Sequence, residues 1–136
     1  MAIVVPSQGL EDILEYALNK TEPTDIKLKL FKNDLTPDAN TVIGDFTESD
    51  IAGYDAGGKT LAGASWTVAT TTGTEGTFAE QTWTFTEAGS IYGYYITNNA
   101  GTAVLWCERF TDAPHAFPSG GGTESITPAI TIATAS

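Results

Sequence analysis

Residues 82–110 read TWTFTEAGSIYGYYITNNAGTAVLWCERF and hold two of the three Trp, three of the five Tyr and the only Cys of the chain. Aromatic and β-branched residues crowd this stretch, and both types suit a pleated, half-buried surface. Gly89–Ser90 and Asn98–Asn99–Ala100–Gly101 punctuate it; Asn and Gly accept the positive φ that tight hairpins need. The stretch reads as three consecutive strands joined by two tight turns. Trp83 and Phe85 share one face. Tyr92, Tyr94 and Ile96 alternate against Ile91, Gly93 and Tyr95, and Val104 and Trp106 against Leu105 and Cys107. With rings and aliphatics on both faces, this hairpin is expected at the centre of a β-sandwich or beneath a partner.

Upstream lies the one good helix pattern, Ser7 to Asn19. Leu10, Ile13, Leu14, Ala17 and Leu18 recur at the spacing of one apolar helical face. Ser7 is placed to cap the amino end, Glu11 and Asp12 to favour the positive end of the dipole, and Pro23 to forbid continuation. Glu11, Asp12 and Glu15 are expected on the wet side. Before the helix, Ala2–Val5 form a short arm ending at Pro6, which pairs either with its own sheet or with a neighbouring subunit. After it, DIKLKLFK (25–32) alternates Ile26, Leu28 and Leu30 against Lys27 and Lys29, a strand with one buried and one exposed face. NDLTPDANT is turn-rich.

Between the helix and the aromatic stretch, Asp45, Glu48, Asp50 and Asp55 raise a calcium hypothesis, but their spacing matches no EF-hand loop. Residues 59–70 read as one longer strand or two short ones, residues 70–77 as a flexible turn, and residues 77–86 as a strand. Downstream, Asp112–Gly122 reads as a Pro/Gly loop. Glu124–Ala135 reads as a terminal strand in which Pro128, lacking an N–H, implies an edge or a bulge. The whole is mainly β: a single domain over 1–136, with arm 1–6, helix 7–19 and an antiparallel β-sandwich of about eight strands over 25–135.

Composition narrows the function classes. The formal net charge is -11 and the pI about 4.1. All Lys lie between Lys20 and Lys59, and Arg109 is the sole Arg. No basic stripe exists to release counterions from nucleic acid, and anionic lipid repels such a surface. The opening MAIVVPSQG lacks a basic leader region, and no stretch approaches the ~20 apolar residues that span a bilayer. One cysteine forbids an internal disulfide, and Cys107 in its apolar run reads as a small buried hydrophobe.

No catalytic set emerges. His115 is the only histidine; with Asp112 and Ser119 near it only in sequence, it reads as a loop histidine without a role. Gly120–Gly122 lacks the following Lys and helix of a phosphate loop. No metal ligands and no cofactor site are assigned, and the chain is read as no enzyme. Trp66, Trp83, Trp106 and the tyrosines read as core, which buries large rings efficiently, or alternatively as a sugar-stacking face.

The order of segments VVPSQGLEDILEYALN, IKLKLFKND, FTESDIAGY, WTFTEAGSIYGYYITNNAGTAVLWCERF and ITPAITI resembles small virion structural proteins of tailed bacteriophages, including cyanophages, and among them the capsid decoration (cement) proteins. The resemblance implies a virion protein assembled in the host cytoplasm that coats the capsid surface. It implies the major capsid protein as partner and a homo-oligomer, a trimer foremost. Exposed apolar character, rather than any family site list, points to Ile3, Val4, Val5, Tyr92 and Tyr94 for subunit or capsid contacts. The alternative class is a receptor- or carbohydrate-binding module of a tail or head fibre.

Overall fold

A computed structural model describes residues 2–70 and 74–132. The chain is mainly β with one amino-terminal helix, as its patterning requires. The strand count departs from the expectation of about eight in one sandwich: the described residues form eleven short strands in four antiparallel sheets. The difference arises because two long apolar runs are each cut in two, and each half pairs in a different sheet.

The central sheet has four strands. β1 (Ile26–Phe31) lies between β2 (Lys59–Leu61) and the later hairpin. β3 (Thr67–Ala69) and β4 (Thr74–Thr77) belong elsewhere, as do β5 (Gln81–Phe85) and β6 (Gly89–Ile91). β7 (Gly93–Thr97) and β8 (Val104–Arg109) complete the central sheet in the order β2-β1-β7-β8. Register places Leu28 beside Ile96 and Ile96 beside Trp106, with Leu30 beside Tyr94. This face packs on Trp83, Phe85, Ile91 and Ile126, which are buried together with it. Each such aliphatic side chain removed from water stabilises the fold by roughly 1.5–3 kcal/mol.

The opposite face of the same sheet buries Phe31, Tyr95, Val104 and Cys107. The chain covers it with its own loop: Phe46 stacks on Tyr95 with ring centroids 4.3 Å apart, and Leu35 and Ile43 pack beside it. The apolar residues on both hairpin faces therefore have partners within the chain. Lys29, on this second face, is not in open water either. Its ammonium lies 3.3 Å from Glu48, whose other oxygen accepts the Gly57 N–H.

The expected three-strand meander is not formed. β7 and β8 make the hairpin, turning through Asn98–Gly101, but β5 pairs with β10 (Gly122–Ile126) instead of β6. β6 pairs with β9 (His115–Phe117), a strand inside the stretch expected to be loop. The run 89–97 thus changes sheets at Tyr92, though its N–H still reaches the Phe31 carbonyl at 2.9 Å. At the carboxyl end, Pro128 separates β10 from β11 (Ala129–Ile132). β11 pairs with β4, so 74–85 and 122–132 run together as one bent ribbon, bridged at the bend by Phe78 N–H to Pro128 O. Residues 59–70 are two short strands, as one of the two readings had it. Of the stretch read as a flexible turn, Thr74–Thr77 is strand β4, whereas residues 71–73 lie outside the described residues; so do 133–135 of the terminal strand.

α1 spans Ser7–Ala17. Pro6, not Ser7, is its cap residue; its fixed φ starts the helix, and no side chain caps it. Asn19 ends it at φ 55, a conformation Asn accepts better than most residues. The amino-terminal arm pairs with its own chain: Val4 and Cys107 exchange backbone hydrogen bonds of 2.8 and 2.9 Å.

Candidate functional site

The helix is docked with its leucines pointing away from the body. Gln8, Gly9, Asp12 and Tyr16 fall on the face opposite Leu14, and the first three of them meet β8 and its turn. Gln8 Oε1 accepts the N–H of Val104 at 2.9 Å and of Ile43 at 3.1 Å. Asn98 Nδ2 donates to Asp12 Oδ2 at 3.4 Å. Gly9 is buried against the carbonyl of Leu105, leaving no room for a side chain. Leu10, Leu14 and Leu18 are left 56, 57 and 69% exposed. The expected inward face is therefore the outward one, and Asp12, expected wet, points inward. Polar contacts to the Val104 N–H of β8 and to the Asn98 side chain of its turn, unseen in a hydrophobic pattern, set the orientation.

The ridge is one i, i+4, i+8 row. On one side stand Glu11, exposed, and Glu15, which holds Lys20 at 3.6 Å and the Thr21 hydroxyl at 2.8 Å. On the other stand Ile13, half-buried, and Ala17, exposed.

A second outward apolar surface lies on the sheet β11-β4-β3. Val68, Gly76 and Ile130 share one rung, and Thr74 and Ile132 the next on the same face. At its inner end Trp66 packs on Phe78 and Trp106, with centroids 5.3 and 6.1 Å apart. At its outer end Val68 and Ile132 are 67 and 68% exposed. Glu75, the one charged residue of these three strands, lies on the other face beside Ala69 and Thr131.

The residues singled out by sequence are largely committed internally. Val4 pairs with Cys107 and packs with Val104's cluster; Val5 packs on the main core. Tyr94 is 5% exposed and donates its hydroxyl to Glu108 at 3.0 Å. Burial, with Glu108 adding to it, drives its phenol pKa well above the ordinary value. Tyr92 is half-buried under the Arg109 guanidinium, 5.3 Å from its ring, and Arg109 also pairs with Asp34 and with the Leu35 carbonyl. Only Ile3 of the five is exposed. The ring of Tyr94 thus belongs to the core of the chain.

No protein-family model, curated protein or solved structure matches the chain. Its function must be argued from its own surfaces.

The most organised polar cluster centres on His115, which the sequence had left without a role. It lies on β9, not in a loop, stacked on Phe110 at 4.1 Å. Its Nδ1 meets Glu124 at 2.8 Å and its Nε2 meets Asp112 at 2.7 Å. Burial alone would depress the imidazole pKa, but its hydrogen bonds to Asp112 and Glu124 outweigh it and raise the value. Glu124 is itself raised by burial, against the pull of His115. With a carboxylate at each ring nitrogen, His115 in its protonated form can donate to both and tie β9 to β10. Ser119, weighed with it from the sequence, is not among its hydrogen-bond partners.

The carboxylates of 45–55 serve separate partners. Asp45 accepts the Val42 N–H, Asp50 holds Lys32 at 2.9 Å and Asp55 holds Lys59 at 2.7 Å. Among the described residues no three His, Cys, Asp or Glu side chains are grouped to hold a metal ion.

Proposed function

We propose that the chain is a non-enzymatic structural protein of a tailed-phage virion, a decoration (cement) protein that binds the capsid exterior as a symmetric oligomer, a trimer foremost. The observation that carries the reading is the outward Leu10–Leu14–Leu18 ridge. Three leucines more than half exposed on a helix held by polar contacts serve no core of this chain. Contiguous apolar surface of this kind marks contact with another protein. The resemblance to virion proteins names the major capsid protein as that partner, and the acidic surface keeps free protein dispersed before it docks.

The alternative, a carbohydrate-binding module, requires rings presented to solvent. Every Trp, Tyr and Phe of the chain is buried or half-buried, which removes the platform on which sugars stack. Co-sedimentation with emptied heads of the phage that encodes the chain tests the proposal. Saturable binding and a higher rupture temperature of the heads are expected. Protein left wholly in the supernatant, or a specific signal on a glycan array, overturns it.

A further inference from the structure

His115 stands between two carboxylates that differ in one respect: water reaches one and not the other. Its Nδ1 lies 2.8 and 3.1 Å from the two Glu124 oxygens, and its Nε2 lies 2.7 Å from Asp112 Oδ1. The Glu124 side chain is 8% exposed and the Asp112 side chain 80%. Phe110 stacks on the ring, and its register partner on β6 is Ile91. The charged side chains at the end of β8 turn elsewhere: Glu108 accepts the Tyr94 hydroxyl and Arg109 pairs with Asp34. On β5 the residue beside Glu124 is Trp83, which carries no charge. Among the described residues, Asp112 and Glu124 are the charges that act on the imidazole.

An imidazolium donates to both carboxylates, whereas a neutral imidazole has one N–H to give. Solvation decides where that proton stays. A buried carboxylate deprived of its donor bears a large desolvation penalty, while an exposed one exchanges its partner for water at little cost. The neutral ring therefore keeps its proton on Nδ1, facing Glu124. It then turns the lone pair of Nε2 toward an anion, and Asp112 swings out into water.

We propose that His115 is a pH-operated latch: the imidazolium fastens the turn at Asp112 to β9, and deprotonation releases Asp112 alone while Glu124 keeps β9 on β10. Burial pulls the imidazole down, but its bonds to Asp112 and Glu124 hold it above 6.5. The latch is thus closed below that value and opens as pH rises through the folded one. Opening adds an unpaired carboxylate to the surface and leaves the strands in place. The latch needs no partner, so it operates whatever the chain binds.

The test is nitrogen NMR on the intact chain with isotope-labelled histidine, in which His115, the only histidine, gives the only ring signals. Above the midpoint of its titration, Nδ1 is expected to carry the proton and Nε2 to be bare. Asp112→Asn, at an exposed site, is expected to fold, to keep that tautomer and to lower the midpoint by about half to one pH unit. Amide exchange, corrected for its intrinsic dependence on pH, reads the release at Ala113, whose N–H donates to the Phe110 carbonyl at 3.2 Å within the turn. Its protection is expected to fall about three-fold from below the midpoint to above it. The β9 amides keep theirs, and in Asp112→Asn the change at Ala113 disappears. A proton on Nε2 above the midpoint overturns the proposal. So does an unchanged midpoint in Asp112→Asn, or constant protection at Ala113. Loss of protection at β9 together with Ala113 also overturns it, by identifying a clamp that opens as a whole.

Discussion

Gly9 of α1 lies directly against the backbone carbonyl of Leu105, so a β-carbon at position 9 would overlap that oxygen. The close approach lets Gln8 reach the Val104 N–H at 2.9 Å. Alanine here gains helix propensity of up to about 1 kcal/mol, but the obstacle is backbone of a central-sheet strand and cannot swing aside. Overpacking costs about 1–3 kcal/mol, so Gly9→Ala is expected to lower stability by about 1–2 kcal/mol in urea unfolding. An unchanged midpoint would show that the helix is not seated on β8.

The two leucine sets give a direct contrast. Leu28→Ala empties a fully buried site and is expected to cost about 2–5 kcal/mol. Leu14→Ala, on the outward ridge, is expected to stay within about 0.5 kcal/mol in the monomer. Equal losses in chemical denaturation would mean that the ridge faces the core after all.

Tyr94→Ala tests the internal placement of that ring. It removes a buried aromatic and leaves Glu108 without its phenol donor; a loss of about 3 kcal/mol is expected. Association of whatever remains folded should be unchanged by light scattering, since the ring offers no surface to a neighbour.

His115 gives stability a pH signature. Its folded pKa is raised above 6.5, so its contribution is complete below that value and is lost as pH rises through the folded one. A neutral imidazole keeps one N–H and cannot donate to both carboxylates. Glu124 is also raised in the fold, by burial; its contribution is present below its ordinary 4.5 and lost as pH rises through its folded value. Asp112 is lowered by its bond to His115 and acts oppositely, favouring the fold above 3.8 and failing as pH falls through its folded value. His115→Ala is expected to cost about 1–2 kcal/mol near neutrality by leaving Glu124 unpaired. The gap to the unaltered protein narrows on the alkaline side. Unfolding curves at a series of pH values check this, and a gap independent of pH would refute the clamp.

Cys107 should be inert. Burial pushes its thiol pKa up to about 12, and Val4 seals the strand edge beside it. A thiol reagent at mildly alkaline pH is expected to label it only as fast as the chain opens. Truncating residues 2–5 should speed labelling sharply.

Local pattern carried much of this architecture and failed where distance mattered. The β7–β8 hairpin was legible because Asn98–Gly101 stands between two runs of β formers, and β1 because IKLKLF alternates. The helix was legible in extent but not in orientation. A leucine stripe shows that an apolar face exists and says nothing of what covers it; two side chains, Gln8 and Asp12, decided that. Tyr92 and Pro128 interrupt apolar runs that look continuous, and the change of sheet at each depends on partners far along the chain. β9 is only three residues, HAF, in a Pro/Gly setting. The His115 clamp was invisible for the same reason, since Glu124 joins it only through the pairing of β5 with β10 and β6 with β9.

The order in which the central sheet receives its strands bears on how the chain is made. β1 emerges early, yet its principal neighbour is β7, and the arm at Val4 waits for Cys107. Contacts this remote along the chain close slowly. On the ribosome, Leu28 can pair with Lys59 and Phe31 with Glu48 before β7 emerges, but the other edge of β1 has no partner until synthesis has passed Thr97, and the amino terminus stays untethered longer still. A nascent chain halted before the β7–β8 hairpin presents one unpaired edge of its central strand, and an open strand edge of this kind favours aggregation.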